Sequence, residues 1–579
     1  MVAASESTNR ARVWPPIVAL AALALILVHV WWLHEFRDGY PLNIDEAGYL
    51  SLALDYASAY EQRGLQGLLH TFRHLGGIQA PLLPLVTVPI VVVVGREITV
   101  SFLAVQGFFA LLFVSSYGIG SRLASRSIGF LTAVVVAGIP AVTEFTRQYH
   151  FAVPSAALFT ASTYALLTSN GLSRRGWVLA WGFTLGLSTL ARTVTLALVP
   201  GIVLAAIVQL VFSPRHRSGR VLNFGFGVSL AAATAFSWYG PNYSEIFAYL
   251  TSYGYGEPST YFGTSFGIAT LEFWTARLRE TIVDGVHVPL AGILLVSLLA
   301  GVVQILRQWK RRSGARGTVA AALRSDRGVL VLIVTAGYLA LTSSRNEGTG
   351  FFLPLLPMVV ALATGSLGYP TAAGLRPILV CAFAAVACVN LAINAPVVGP
   401  TAFGLVEGMG FRVSGGIRRY LEDAGYDLGT STSQLPSVHR AWQMLDRQVA
   451  AYAIDLATAH GRQPYVVFAS QNRLFNTNSV GLMGRVALDS RIDFGQLQSI
   501  KHGDSIPAYR RSLASTLQNI LVTVDPSPGD FQPSVTQAYC ESAARSLGFQ
   551  FVKSFRLPDG REARVWWLDR GRPAIQRLQ

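Results

Sequence analysis

Charge is what this chain has least of. Only 13% of its 579 residues are Asp, Glu, Lys or Arg, while 51% are hydrophobic, and the mean hydropathy is +0.42. So little charge over so long a chain excludes a soluble protein, whose surface would have to be polar. Cysteine is almost missing. Of the three, Cys381 and Cys388 fall inside one hydrophobic run, which excludes a disulfide framework and a cysteine metal cluster and leaves packing as their expected role. No internal repeat or low-complexity tract stands out. Acidic residues are also few, 31 against 46 Lys and Arg, for a net charge of +15.

What the chain does have is long hydrophobic runs. The first, Val13 to Trp32, follows Arg10 and Arg12 and ends in two tryptophans suited to a membrane boundary. Its length, and the lack of a small-residue cleavage pattern after it, argue for a span rather than a signal peptide. Spans are expected at about 13–33, 98–119, 128–146, 151–168, 177–192, 196–212, 221–239, 286–306, 328–343, 351–368 and 377–397, eleven in all. The stretch Ala80 to Val94 is apolar but short and carries three prolines, which predicts a re-entrant or juxtamembrane piece.

Basic residues support that choice. With 80–94 outside, Arg10, Arg12, Arg122, Arg126, Arg174, Arg175, Arg215, Arg217, Arg220, Arg376 and the cluster from Arg307 to Arg327 collect on the inner side. If that segment crossed, nearly all of these would move outside, against the positive-inside rule. The outer face then carries loops 34–97 and 240–285 and everything after about residue 398. From Gly404 onward charges recur every few residues. "PYVVFAS", "NILVTVD" and a hairpin around Pro558-Asp559-Gly560 read as strands, and "VTQAYCESAARSLG" as a helix closed by glycine. The expected architecture is therefore a polytopic α-helical membrane domain over 1–397 and an extracytoplasmic α/β domain over 398–579. The positive balance follows from this topology and from anionic headgroups, so nucleic acid is not an expected partner.

Two adjacent carboxylates, Asp45 and Glu46 in "PLNIDEAGYL", open the first outer loop. Asn43 as N-cap with Glu46 three residues on reads as a capping box, and Ala47, Leu50, Leu54 and Ala57 continue at helical spacing. Residues 44–61 are thus expected to form an amphipathic helix lying on the membrane.

The order of features carries a family resemblance: one span, the acidic pair, "QAPLLPL", the basic turn "GSRLASRSIG", "GLSTLARTVTLALVP", "WYGPNY" and "FFLPLLPMVVALATG". Over about residues 13–397 the chain resembles the GT-C membrane glycosyltransferases, especially glycosyltransferase family 39, the protein O-mannosyltransferase and aminoarabinose-transferase type. The resemblance implies sugar transfer from a polyprenyl phosphate to an acceptor hydroxyl of a glycan, lipid or protein on the outer face of the cell membrane. It also implies an acidic residue of the first outer loop at the reaction centre, which here is Asp45. A base that takes the hydroxyl proton contributes about 10²–10⁴-fold, while the leaving phosphate needs no acid. Glu46, about 100° away around the helix, is expected to be a helper or a cap.

A phosphate leaving group calls for cations and donors. Candidates at outer span ends are Arg147, Tyr149 and His150 in "EFTRQYHF", Arg192 in "LARTVT" and Arg345 in "SSRNEGTGFF". Each arginine has the alternative of snorkelling to headgroups, and His150 of simple packing. Relatives carry an aspartate shortly after the position of Arg147; here Glu144 is the only nearby acid. Tyr239, Asn242 and Tyr243, beside Trp238, suit sugar rings and prenyl chains, as well as any interfacial loop. Asp284 and His287 at i, i+3 could hold a metal on a helix but lack further ligands, so no cofactor or required metal is expected. The alternative from another class is a transporter or lipid flippase, which would place ionisable groups in mid-span.

Overall fold

The computed structural model describes residues 2–570 apart from 38–43, 75–77, 213–216, 257–258, 260–265, 312–320, 347, 370–373, 395–407, 412–434, 470–471, 473, 489–491, 498–502, 516 and 526–534. Asn43, expected as the N-cap, lies outside the described residues. The protein is a mostly helical, multi-pass membrane protein with a small mixed sheet near its C-terminus. Six described helices are long and apolar enough to cross a bilayer: Val13–Glu35, Ile98–Leu123, Thr193–Val211, Ser218–Tyr239, Val288–Arg307 and Arg376–Ile393. The expected span 128–146 is in fact two helices, Arg126–Ala137 and Pro140–Thr146, bent by 66°. Pro140 has no N–H to extend the first helix and starts the second instead. Two other expected spans are shorter apolar helices. Ala152–Thr168 has 17 residues, and Leu356–Ser366 has 11 and follows the separate turn Thr349–Phe352. The segment after Ala80 forms the helix Leu82–Val94, whose 13 residues reach about 20 Å and so fall short of a crossing.

Backbone contacts divide the chain into two compact units. One comprises residues 1–31, 59–87 and 102–415; the other 32–58, 88–101 and 416–579. The core of the first unit gathers Trp181, Leu185, Ile202, Ile333 and Met358 from several helices. Helices Arg175–Ala191 and Arg217–Tyr239 approach through glycine: a Cβ on Gly182 would lie 2.1 Å from the Gly227 carbonyl oxygen, and one on Gly186 2.6 Å from Thr234. Small residues four apart let helix backbones meet inside a membrane. Gly182→Ala is therefore expected to destabilise the protein by about 1–3 kcal/mol, read as a lower thermal midpoint in detergent. Cys381 and Cys388 are exposed on their helix rather than packed; only Cys540 is buried.

In the second unit, five strands run in the order β2-β1-β3-β5-β4, with β1 Tyr465–Phe468, β2 Asp493–Gln496, β3 Ile520–Val524, β4 Gln550–Arg556 and β5 Glu562–Trp567. β1 pairs in parallel with β2 and β3, while β5 pairs antiparallel with β3 and β4. Helices Thr477–Leu488, Ile506–Ser515 and Gln537–Ser546 make the connections, and β3 is buried along its whole length, as a central strand's apolar run implies. The β4–β5 hairpin turns where Pro558-Asp559-Gly560 predicted it, with Gly560 at φ 88°. Gly548, at φ 90°, closes the preceding helix.

Candidate active site

The helix Ile44–His74 begins one residue before the acidic pair. It runs past the expected end at residue 61 and breaks only at Gly64, whose φ of 58° and ψ of −148° no other residue adopts readily. Ala47, Leu50, Leu54 and Ala57 are all buried, so the predicted apolar face is real. Asp45 and Glu46 part company, as helix neighbours must: Asp45 is exposed while Glu46 is fully buried. The Glu46 carboxylate takes two hydrogen bonds from Arg37, at 3.1 Å to Oε1 and 2.7 Å to Oε2, and the arginine is itself fully buried. Sequence reasoning missed Arg37. The available signal was a cation just beyond the end of the first apolar run, within reach of an acidic pair.

The same helix is gripped further along. Asn478 donates to the Ile44 carbonyl at 2.8 Å, beside Asp45. About two helical turns beyond Asn478, Arg485 forks onto Asp55 with Nε–Oδ1 2.9 Å and Nη2–Oδ2 3.2 Å, both side chains being largely shielded. A forked pair of charge-assisted bonds fixes orientation as well as energy. Arg485→Ala is expected to cost about 1.5–3 kcal/mol and to speed amide exchange over residues 44–55, measured by hydrogen–deuterium exchange.

The other candidates belong to the first unit and divide into two groups. Arg147 is fully buried; its Nε donates to His29 Nδ1 at 3.2 Å and its Nη1 to the Asn394 carbonyl. Tyr149, also fully buried, shares a 2.6 Å hydrogen bond with Thr87 and meets Phe102 edge-on. Those contacts tie the bend after Thr146 to neighbouring helices.

His150 and Arg192 are brought together around Phe145 and Gly350. The rings of Phe145 and His150 lie 4.8 Å apart, and a Cβ on Gly350 would fall 2.9 Å from Phe145 and 3.0 Å from Arg192. Arg192 donates to the Gly350 carbonyl at 2.5 Å and spreads over Phe351 at 4.7 Å. Burial, helped by the charge of Arg192, pushes the pKa of His150 well below the ordinary histidine range. Its Nδ1 accepts the Ala152 N–H at 3.1 Å, which puts the proton of the neutral ring on Nε2. Tyr239 donates to the Thr189 carbonyl at 2.9 Å, one turn before Arg192. Asn242 is buried and bonds the Trp238 carbonyl, whereas Tyr243 is 65% exposed and stacks on Phe247.

Arg345 stands in the loop after the helix Asp326–Thr342, half-buried, with its backbone N–H on the Gly254 carbonyl. The pair expected at i, i+3 does not lie on an α-helix: residues Glu280–Val286 form π turns, and His287 follows at φ 71°. Asp284's side chain lies outside the described ones.

No protein-family model matches the sequence, and no curated protein matches it significantly. Solved structures do. ArnT from Cupriavidus metallidurans in the apo state superposes with a TM-score of 0.55 at 15% identity, over 96% of this chain and 98% of that one. ArnT bound to undecaprenyl phosphate gives 0.53 at 16%, over 97% and 99%. The chain therefore has, over essentially its whole length, the GT-C fold of the membrane glycosyltransferases.

Proposed function

We propose that this protein transfers a sugar, hexosyl or pentosyl, from a polyprenyl-phosphate carrier to an acceptor hydroxyl of a cell-envelope glycan, lipid or protein on the extracytoplasmic side. The observation that carries the reading is the end-to-end likeness to a structure that holds undecaprenyl phosphate. Residues 1–397 are proposed as the catalytic membrane domain, with outer loops 34–97 and 240–285, and 398–579 as an extracytoplasmic domain that helps hold the acceptor.

In this reading the acceptor oxygen attacks the anomeric carbon and gives its proton to the Asp45 carboxylate. The carbon–oxygen bond to the phosphate breaks, and its electron pair leaves with the phosphate. Arg192 and Arg345 meet that charge, and neutral His150 adds a hydrogen bond from its Nε2–H. Arg147 and Tyr149 stay in the proposed phosphate-binding set, with their bonds to His29 and Thr87 holding them in place. The burial of Glu46 against Arg37 supports a single working carboxylate, because glycoside hydrolysis would need two flanking one bond.

Transport is the other reading that one observation favours, since the 66° break between Arg126–Ala137 and Pro140–Thr146 resembles a transporter's broken helix. Yet Arg147 and Tyr149 just after that break are bonded to protein groups. The deciding experiment reconstitutes the purified protein in liposomes with radiolabelled undecaprenyl-phosphate sugar and envelope extract as acceptor. Transfer predicts free undecaprenyl phosphate and a labelled acceptor. Label crossing the bilayer still attached to its carrier would establish transport instead.

A further inference from the structure

The loop that carries Arg345 is held by another arginine. Arg277, in the helix Leu271–Arg279, is 1% exposed, and its Nη2 donates both to the Ser344 carbonyl at 2.6 Å and to the Asn346 carbonyl at 2.7 Å. Its guanidinium also lies over Phe273 at 5.2 Å and 3.7 Å from the Glu280 carboxylate. One planar cation thus pins the residue before Arg345 and the residue after it. Further ties come from the last turn of the aromatic helix Tyr243–Tyr255: the Gly254 carbonyl accepts from the Ser344 hydroxyl at 2.8 Å and from the Arg345 N–H at 3.3 Å, and Tyr255 bonds Ser343 at 3.1 Å.

Arg345's own guanidinium makes no hydrogen bond, ion pair or ring contact with any described residue. Burying a full cation to immobilise a loop is costly when serine or asparagine could bond the same carbonyls. It is costlier where that loop bears a second positive charge. The arrangement makes sense when the second cation must be presented to an anion.

On the reading above that the donor is a polyprenyl phosphate, we infer that Arg277 is a positioning residue. It fixes the backbone on both sides of Arg345 so that this guanidinium meets the donor phosphate already oriented. Ordering Arg345 in advance removes an entropy cost that binding would otherwise carry. Lysine cannot replace Arg277 fully, because a single ammonium cannot bond both carbonyls and also place a planar cation over Phe273 with a second nitrogen toward Glu280.

The test is a double-mutant cycle on the detergent-purified full chain, read as undecaprenyl phosphate affinity by calorimetry, for wild type, Arg345→Ala, Arg277→Ala, Arg277→Lys and the double variants. Arg345→Ala is expected to weaken binding about 10–100-fold, the worth of a charge-assisted hydrogen bond. Arg277→Ala is expected to weaken it about 10-fold when Arg345 is present and not at all when it is absent, with Arg277→Lys in between. Should Arg277→Ala fail to fold, the lysine variant carries the same cycle, with a severalfold loss only in the Arg345 background. Equal losses in both backgrounds, or wild-type affinity in the Arg277 variants, overturn the positioning role alone. Wild-type affinity in Arg345→Ala overturns the roles assigned to both arginines, whereas a wild type that does not bind the lipid overturns the donor reading on which they rest.

Discussion

Asp45→Asn should silence sugar transfer, lowering turnover by about 10²–10⁴-fold, the contribution of a positioned general base, while leaving the thermal midpoint close to wild type. The side chain is exposed at the first turn of its helix, so the substitution buries no new group and opens no cavity. Asparagine keeps the size and the acceptor oxygen but cannot take a proton at neutral pH. Binding of undecaprenyl phosphate should survive, so the loss belongs to kcat rather than to lipid affinity. Release of undecaprenyl phosphate from labelled donor is the measurement. Wild-type turnover in this variant would remove Asp45 from the chemistry, and a collapsed fold would assign it to structure.

Arg37→Ala or Glu46→Ala should each destabilise the protein by about 3–5 kcal/mol, because either one strands a charge at a site that excludes water. Both side chains are 0% exposed and share two short hydrogen bonds. Replacing the pair together, Arg37→Met with Glu46→Leu, should recover most of that loss, since well-packed apolar groups of similar volume cost no desolvation. Chemical unfolding in detergent reads all three variants. Single variants that lose less than about 1 kcal/mol would mean that water reaches the pair, and Glu46 would then return as a candidate for the chemistry.

Much of the fold could be read from hydrophobic runs, because a membrane leaves only helices as solutions for them. The C-terminal strands and hairpin were legible for a local reason: β-branched runs flank a Pro-Asp-Gly turn. What escaped was signalled weakly or not locally. β2 is four residues long, "DFGQ", with no alternating pattern to betray it. The bend before Pro140 hides in a run whose apolar character never falters. At the site, the divergence of Asp45 and Glu46 follows from helix geometry alone, but the pairing of Glu46 with Arg37, nine positions earlier, has no helical spacing to announce it. Arg277 acts on main-chain carbonyls of residues 344 and 346, and a carbonyl has no letter in the sequence.

The grip of Arg485 on Asp55 and of Asn478 on Ile44 joins segments more than 400 positions apart. A chain emerging from the ribosome makes residue 45 long before residue 485, so the helix bearing the acid waits through most of synthesis without its clamp. Prematurely terminated chains would insert every span and still leave Asp45 on an unsecured helix. For the transfer proposed at Asp45, activity would then wait until the chain has passed Arg485 and the region that carries it has folded.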